Sequence, residues 1–217
     1  AENAGRYISY YLVGQGMRGL VGSIIQTRGQ FQQLGIAFET MLGSTDKATT
    51  LMQQMVDTAA KTPFDLMGVA EGAKQLMAYG VSADKVNDTL VRLGNIASGL
   101  SIPLNDIVYL YGTTMVQGRL YAQDVRQFTG RGIPLVKELA EKYHKTTDEI
   151  NAMVSAGKVG FKDVEEVLNK MTSAGGQFYN LMEKQSTALT GQIANLEDAW
   201  DTVLNDWGEA GQDLFAA

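Results

Sequence analysis

The chain has 217 residues, 45% hydrophobic and 19% charged, with only 3 Pro, so wholesale disorder is excluded and the chain is long enough for one helical core, with or without extensions. Cysteine is absent, which excludes a disulfide framework and thiolate chemistry and leaves the redox compartment open. The net charge of −6 is uneven: Asp163 to Ala217 holds 10 acids against 2 bases and the remainder 14 acids against 16 bases, without the dense basic run that specific nucleic-acid binding needs.

Residues 1–43 read as a long amphipathic arm. From Tyr7 to Leu42, Met17, Ile24, Phe31 and Phe38 recur every seven residues, with a second, imperfect line at Val21, Arg28, Gly35 and Leu42, as in a coiled-coil seam. Six glycines (14, 16, 19, 22, 29 and 35) lie within it. At about 1 kcal/mol each they would cost an isolated helix roughly 5 kcal/mol, so the arm should become firm only against a partner, either its own domain or another chain. Arg18 and Arg28 interrupt the one stretch apolar enough to suggest a membrane helix, and no secretory leader pattern is present. The chain starts at Ala1 without Met and ends inside a helical pattern at Ala217, which points to a piece of a longer protein.

Residues 44–175 predict a compact domain of short helices. Gly43 stops the arm and the Ser44-Thr45-Asp46 run supplies an N-cap for a helix to about Ala60, with Ala48, Met52, Met55 and Ala59 inward. Thr62-Pro63-Phe64-Asp65 breaks the pattern. Leu66 to Tyr79 turns Leu66, Val69, Ala73 and Leu76 inward and closes at Gly80. A helix begun by Ser82 or Asp84 buries Val86, Leu90, Leu93 and Ala97 and ends near Gly99; another, opened by Pro103, carries Leu104, Val108, Tyr111 and Met115.

A short helix then occupies the middle of Gln117–Pro134. Tyr121, Val125 and Phe128 share one face, and Arg119, Gln123 and Arg126 the other. Gly130 and Gly132 bracket Arg131 and permit positive φ, which predicts a tight stop there before Pro134 opens the next helix. Three arginines around one Gly-rich corner either fasten helix-end carbonyls or bind an anion. Gly130-Arg131-Gly132 is no phosphate loop, since no strand precedes it and the Walker lysine is missing. Val136, Leu139 and Tyr143 mark the next helix, Thr146 and Glu149 a capping box, and Asp163 an N-cap ahead of Val164, Val167, Leu168 and Met171.

Residues 176–217 predict a second long amphipathic helix beyond a Gly175-Gly176 hinge. Phe178, Met182, Gln185, Leu189, Ile193, Leu196, Trp200, Val203 and Trp207 step by three and four. The fold class is therefore all-α: a compact multi-helix domain of short helices flanked by long N- and C-terminal amphipathic helices, with little weight on β-sheet. The seam candidates for homo-oligomerisation are Ile24, Phe31, Phe38, Leu189, Ile193, Leu196, Trp200, Val203 and Trp207.

Chemistry-bearing patterns are sparse. His144, the single histidine, sits near a helix end beside Lys145; no His-Glu-x-x-His or calcium-loop spacing and no Gly-x-Ser-x-Gly elbow occurs. Glu165/Glu166 and Glu197/Asp198 are adjacent pairs, which diverge on a helix. No cofactor, metal or catalytic residue is expected, and the ten Met fall on apolar stripes as core filling.

Gly118-Arg119-Leu120, Arg126-Gln127-Phe128 and the run from Gly130 through Arg131, Gly132 and Ile133 to Pro134-Leu135 resemble the tape measure domain of bacteriophage or prophage tail tape measure proteins. So do Phe38 to Gly43, Thr62 to Phe64, Leu76 to Val81, Leu93 to Ala97, Gly157 to Phe161 and Gln185 to Leu196, in one order over about Phe31 to Asp201. The resemblance implies a structural virion protein of the tail lumen, present in the host cytoplasm during assembly. It also implies a role in setting tail length, in tail assembly and in genome ejection, with tail tube, tail tip and tail assembly chaperone proteins as partners. The rival readings are a peptidoglycan-degrading tail-associated enzyme module, a membrane-active helical module and a generic helical adaptor.

Overall fold

The structure is a computed structural model and describes residues 32–188. Helix α1 spans 32–42 and is followed by α2 (Thr45–Ala60), α3 (Leu66–Ala78), α4 (Ala83–Leu100), α5 (Leu104–Gln117) and α6 (Ala122–Gly130). Then come α7 (Leu135–Tyr143), α8 (Thr147–Ser155), α9 (Phe161–Thr172) and α10 (Leu181–Ala188). Among the described residues no strand forms; the one extended pairing is an isolated antiparallel bridge between Arg119 and Gly160.

Local chemistry sets most of the boundaries. Ser44 accepts the Lys47 N–H to start α2, and Asp65 accepts the Gly68 N–H at 2.9 Å to start α3, each satisfying an amide the first turn leaves open. Thr146 and Glu149 form the reciprocal box at the head of α8. Several boundaries differ from the sequence expectation: α10 starts only at Leu181 and leaves Phe178, an expected helix-seam residue, in the preceding turn, and two more concern α4 and α9. Helix α4 runs past Gly99 to Leu100 and is closed by Ser101 at φ 53°, a serine doing the work expected of a glycine. The N-cap of α9 is Gly160, and Asp163 sits three residues inside, its carboxylate reaching back to the Gly160 N–H at 2.9 Å.

In α2, α3 and α9 the inward faces predicted from spacing are the buried ones, whereas Met115, Val136 and Tyr143, also expected inward, are half-buried. Ala48, Met52, Met55 and Ala59 of α2, Leu66, Val69, Ala73 and Leu76 of α3, and Val164, Val167, Leu168 and Met171 of α9 all lie in one core cluster. Helices α2 to α5 pack together, α6 to α9 form a second group, and α4 and α5 touch both. Each fully buried Leu, Met or Phe contributes on the order of 1.5–3 kcal/mol by leaving water. Phe38 of α1 is 0% exposed and Leu34 6%, so this end of the first seam is spent on the domain's own core. The other seam candidates, Ile24, Phe31, Leu189, Ile193, Leu196, Trp200, Val203 and Trp207, lie outside the described residues.

After α9 the chain turns through 173–180, with Gly175 at φ 85°, and α10 lies back on α4. The surface it meets is made of small residues. A Cβ on Gly94 would stand 2.2 Å from the Met182 sulfur. Asn95, buried in α4, accepts the Met182 N–H at 3.0 Å and so caps α10 from a different helix; Gln185 donates to the Ser98 carbonyl at 2.9 Å.

Candidate functional site

The corner from Gly118 to Pro134 is held by a partner the linear order hides. The Leu120 N–H donates to the Val159 carbonyl at 2.9 Å, and the Phe161 N–H to the Gly118 carbonyl at 3.0 Å. These two bonds clamp 118–120 against 159–161, so the Gly-Arg-Leu and Gly-Lys-Val-Gly-Phe segments form one unit. Leu120, wholly buried, anchors it.

Arg119 leaves this bridge to lie over the Tyr121 ring, its guanidinium carbon 4.3 Å from the centroid. At an exposed site such stacking is worth about 0.5–1 kcal/mol. Gly157, at φ 69°, passes beneath that side chain: a Cβ there would lie 2.6 Å from Arg119 Nη1, and the left-handed backbone would strain it further. Both requirements select glycine.

Tyr121 itself differs from expectation. It is the N-cap of α6, extended and exposed, and the inner face is carried by Val125 and Phe128 alone. The reason is Asp124, 5% exposed, whose carboxylate takes the Tyr121 N–H at 2.9 Å and holds that residue outside the helix. Arg119 lies before α6, whereas Arg126 and Gln123 are on its exposed face. At the far end Gly132 has φ 84°, but Gly130 is an ordinary last helical residue, contrary to the expected pair. The Ile133 N–H returns to the Phe128 carbonyl at 3.0 Å, Ile133 and Leu135 are wholly buried, and Pro134 caps α7.

Of the three arginines, Arg131 fastens. Its Nε donates to Asp106 at 3.1 Å and its Nη1 to the Gln127 carbonyl at 3.3 Å, tying the end of α6 to the first turn of α5. Arg119 stacks, and Arg126 is left exposed. The three do not converge on one point as an anion site would require.

Sequence reasoning missed the clamp between α7 and α9. Lys142 reaches Asp163 and Glu166, each at 2.6 Å, and Lys170 reaches Glu138 at 2.9 Å and Glu141 at 2.7 Å. Burial pushes the Asp163 carboxyl up, but bonds from Lys142, Tyr143 and the Gly160 N–H outweigh it and hold it below the usual carboxylate range. Burial likewise pulls Lys142 down, yet its two carboxylates leave it above an ordinary lysine. Burial, then Asp163, pushes the Tyr143 phenol up to about 12. The bonds from Lys170 lower Glu141. Glu165 and Glu166 diverge as their spacing implies: Glu165 accepts the Tyr111 hydroxyl at 3.0 Å, and Glu166 turns to Lys142. The Tyr111 ring meets Phe161 edge-on, centroids 5.1 Å apart, and burial raises its phenol well above the ordinary value.

Chemically, this arrangement joins helices. Its acids are occupied by lysines, by Arg131, by the Tyr111 hydroxyl or by backbone amides. His144 is an exposed C-cap residue at φ 53°. A cleft of about 590 Å³ between α2, α4 and α10 has Asp57 and Glu183 as its acids, both exposed. Among the described residues no group of three or more His, Cys, Asp or Glu is placed to hold a metal ion, and no helix is long and apolar enough to cross a membrane.

Residues 22–209 match the family model described as tape measure protein. No curated protein and no solved structure matches the chain.

Proposed function

The chain belongs to the tape measure protein family, a structural family of the phage tail, and from that premise we propose that it helps set tail length and assemble the tail. The observation that carries this reading is the extent of the match. It runs from residue 22 to 209 and so takes in the compact domain together with part of each flanking arm. A helix rises about 1.5 Å per residue, so helical arms convert residue count into distance, and heptad seams suit copies lying side by side. In this reading the arms measure and join, and the domain of residues 32–188 is a rigid node between them. The tail lumen, the tail tube and tip and the assembly chaperones are its expected surroundings, with a further part in genome ejection.

The bonding pattern supports a mechanical role over the peptidoglycan-cleaving rival. That chemistry needs a desolvated acid facing a cleft. The most buried glutamate among the described residues, Glu138, is instead engaged by Lys170 at 2.9 Å. The test is genetic: a phage whose tape measure protein lacks residues 32–188 should yield few intact tails, or tails of scattered length, by negative-stain electron microscopy. Tails of normal number and uniform, unchanged length would overturn the proposal.

A further inference from the structure

Between the α6–α7 corner and α8 lies a groove of about 550 Å³, with Val125, Pro134 and Val136 on its floor and Asn151 on its wall. Two exposed cations, Arg126 and Lys137, stand on its rim, and no Asp or Glu lines it. Among the described residues neither makes an ion pair; Glu138 and Glu141, the acids that follow Lys137 on α7, are bonded to Lys170 at 2.9 and 2.7 Å, although the charge of Lys137 still acts on Glu141 from a distance. An apolar floor under a basic rim selects an acidic segment with large apolar side chains.

The chain carries one. Residues 189–217 contain Glu197, Asp198, Asp201, Asp206, Glu209 and Asp213, no Lys or Arg, and both tryptophans of the protein, Trp200 and Trp207. Reach is no obstacle. The described domain has a radius of gyration of about 15 Å, and the stretch between Ala188 and Trp200 covers about 40 Å when extended, against about 18 Å as a helix, so the link to the docked part must be extended. Tethering holds the segment near the groove at an effective concentration on the order of millimolar.

We propose that residues 189–217 of the same chain dock in this groove before assembly, an apolar side chain from Trp200–Trp207 on the floor and acidic neighbours against Arg126 and Lys137. Trp burial supplies the attraction, and the two ion pairs set its direction. This goes beyond the tail role: the groove would shelter the second seam until a competing helix displaces it.

The experiment uses the full chain, dilute, with a benzophenone amino acid in place of Asn151 and an equal mixture of ¹⁴N- and ¹⁵N-labelled protein. Irradiation should give cross-links to peptides from 189–217 that carry a single label. Arg126→Glu with Lys137→Glu should lower that yield at least fivefold and shift Trp emission to the red, at unchanged circular dichroism; adding Asp198→Lys and Asp201→Lys should restore both. Absence of cross-links to 189–217, cross-links of mixed label, which would assign the groove to a second copy, or a yield indifferent to the charge reversal would each overturn the proposal.

Discussion

Glu149 shows what one side chain settles when its partners are close in sequence. It accepts the Thr146 N–H at 2.8 Å and the Lys145 ammonium at 3.0 Å, while its own N–H reaches the Thr146 hydroxyl at 3.2 Å. The backbone bond from Thr146, then the Lys145 and Thr146 side chains, bring its carboxyl from 4.5 to about 2. Because the folded value lies below the unfolded one, the stabilisation is complete above the ordinary value and fades as pH falls towards 2. Glu149→Gln should therefore lower the urea midpoint at pH 7, and the gap to the parent protein should close between pH 4.5 and 2. A gap independent of pH would show that charge is not what the cap uses. This motif was legible because Thr146 and Glu149 are three residues apart. Lys142 was not: its carboxylates, Asp163 and Glu166, arrive on a helix whose position only the folded chain defines.

At the scale of elements, spacing predicts faces well and contacts between distant elements poorly. The stripes of α2, α3 and α9 follow from a local period, and burial agrees residue by residue. The Arg119–Gly160 bridge joins segments some forty residues apart, which no local period encodes. Gly99 shows why a helix stop was misplaced. A Cβ there would stand 2.6 Å from Leu181 and Phe178, so the glycine serves a close approach and Ser101 takes the turn. The same logic makes α10 separable. Gly94→Val would force Met182 away and strip the Asn95 cap from α10, while α4 keeps the rest of its buried face. Limited proteolysis of that variant should cut first between 173 and 188, with the remaining domain protected. Cleavage spread evenly, or the parental pattern, would mean that the seating of α10 on Gly94 is not what holds it.

For the whole molecule, compactness decides what the chain can measure. Laid out as one helix, about 157 residues would span roughly 235 Å. Folded as described, they occupy a body only about 40 Å across, as a radius of gyration near 15 Å implies. Under the proposed function, length encoded in the node is therefore several times less efficient than length encoded in an arm. Three further copies of residues 8–28 would add 63 residues while preserving the seven-residue phase of Met17, Ile24 and Phe31. Were the arm helical within the tail, such a phage should carry tails longer by about 95 Å. The same number of residues added as an exposed loop between α8 and α9 leaves the span of the node unchanged and should leave tail length unchanged. Equal lengthening by both insertions, or by neither, would take the measuring role away from this part of the chain.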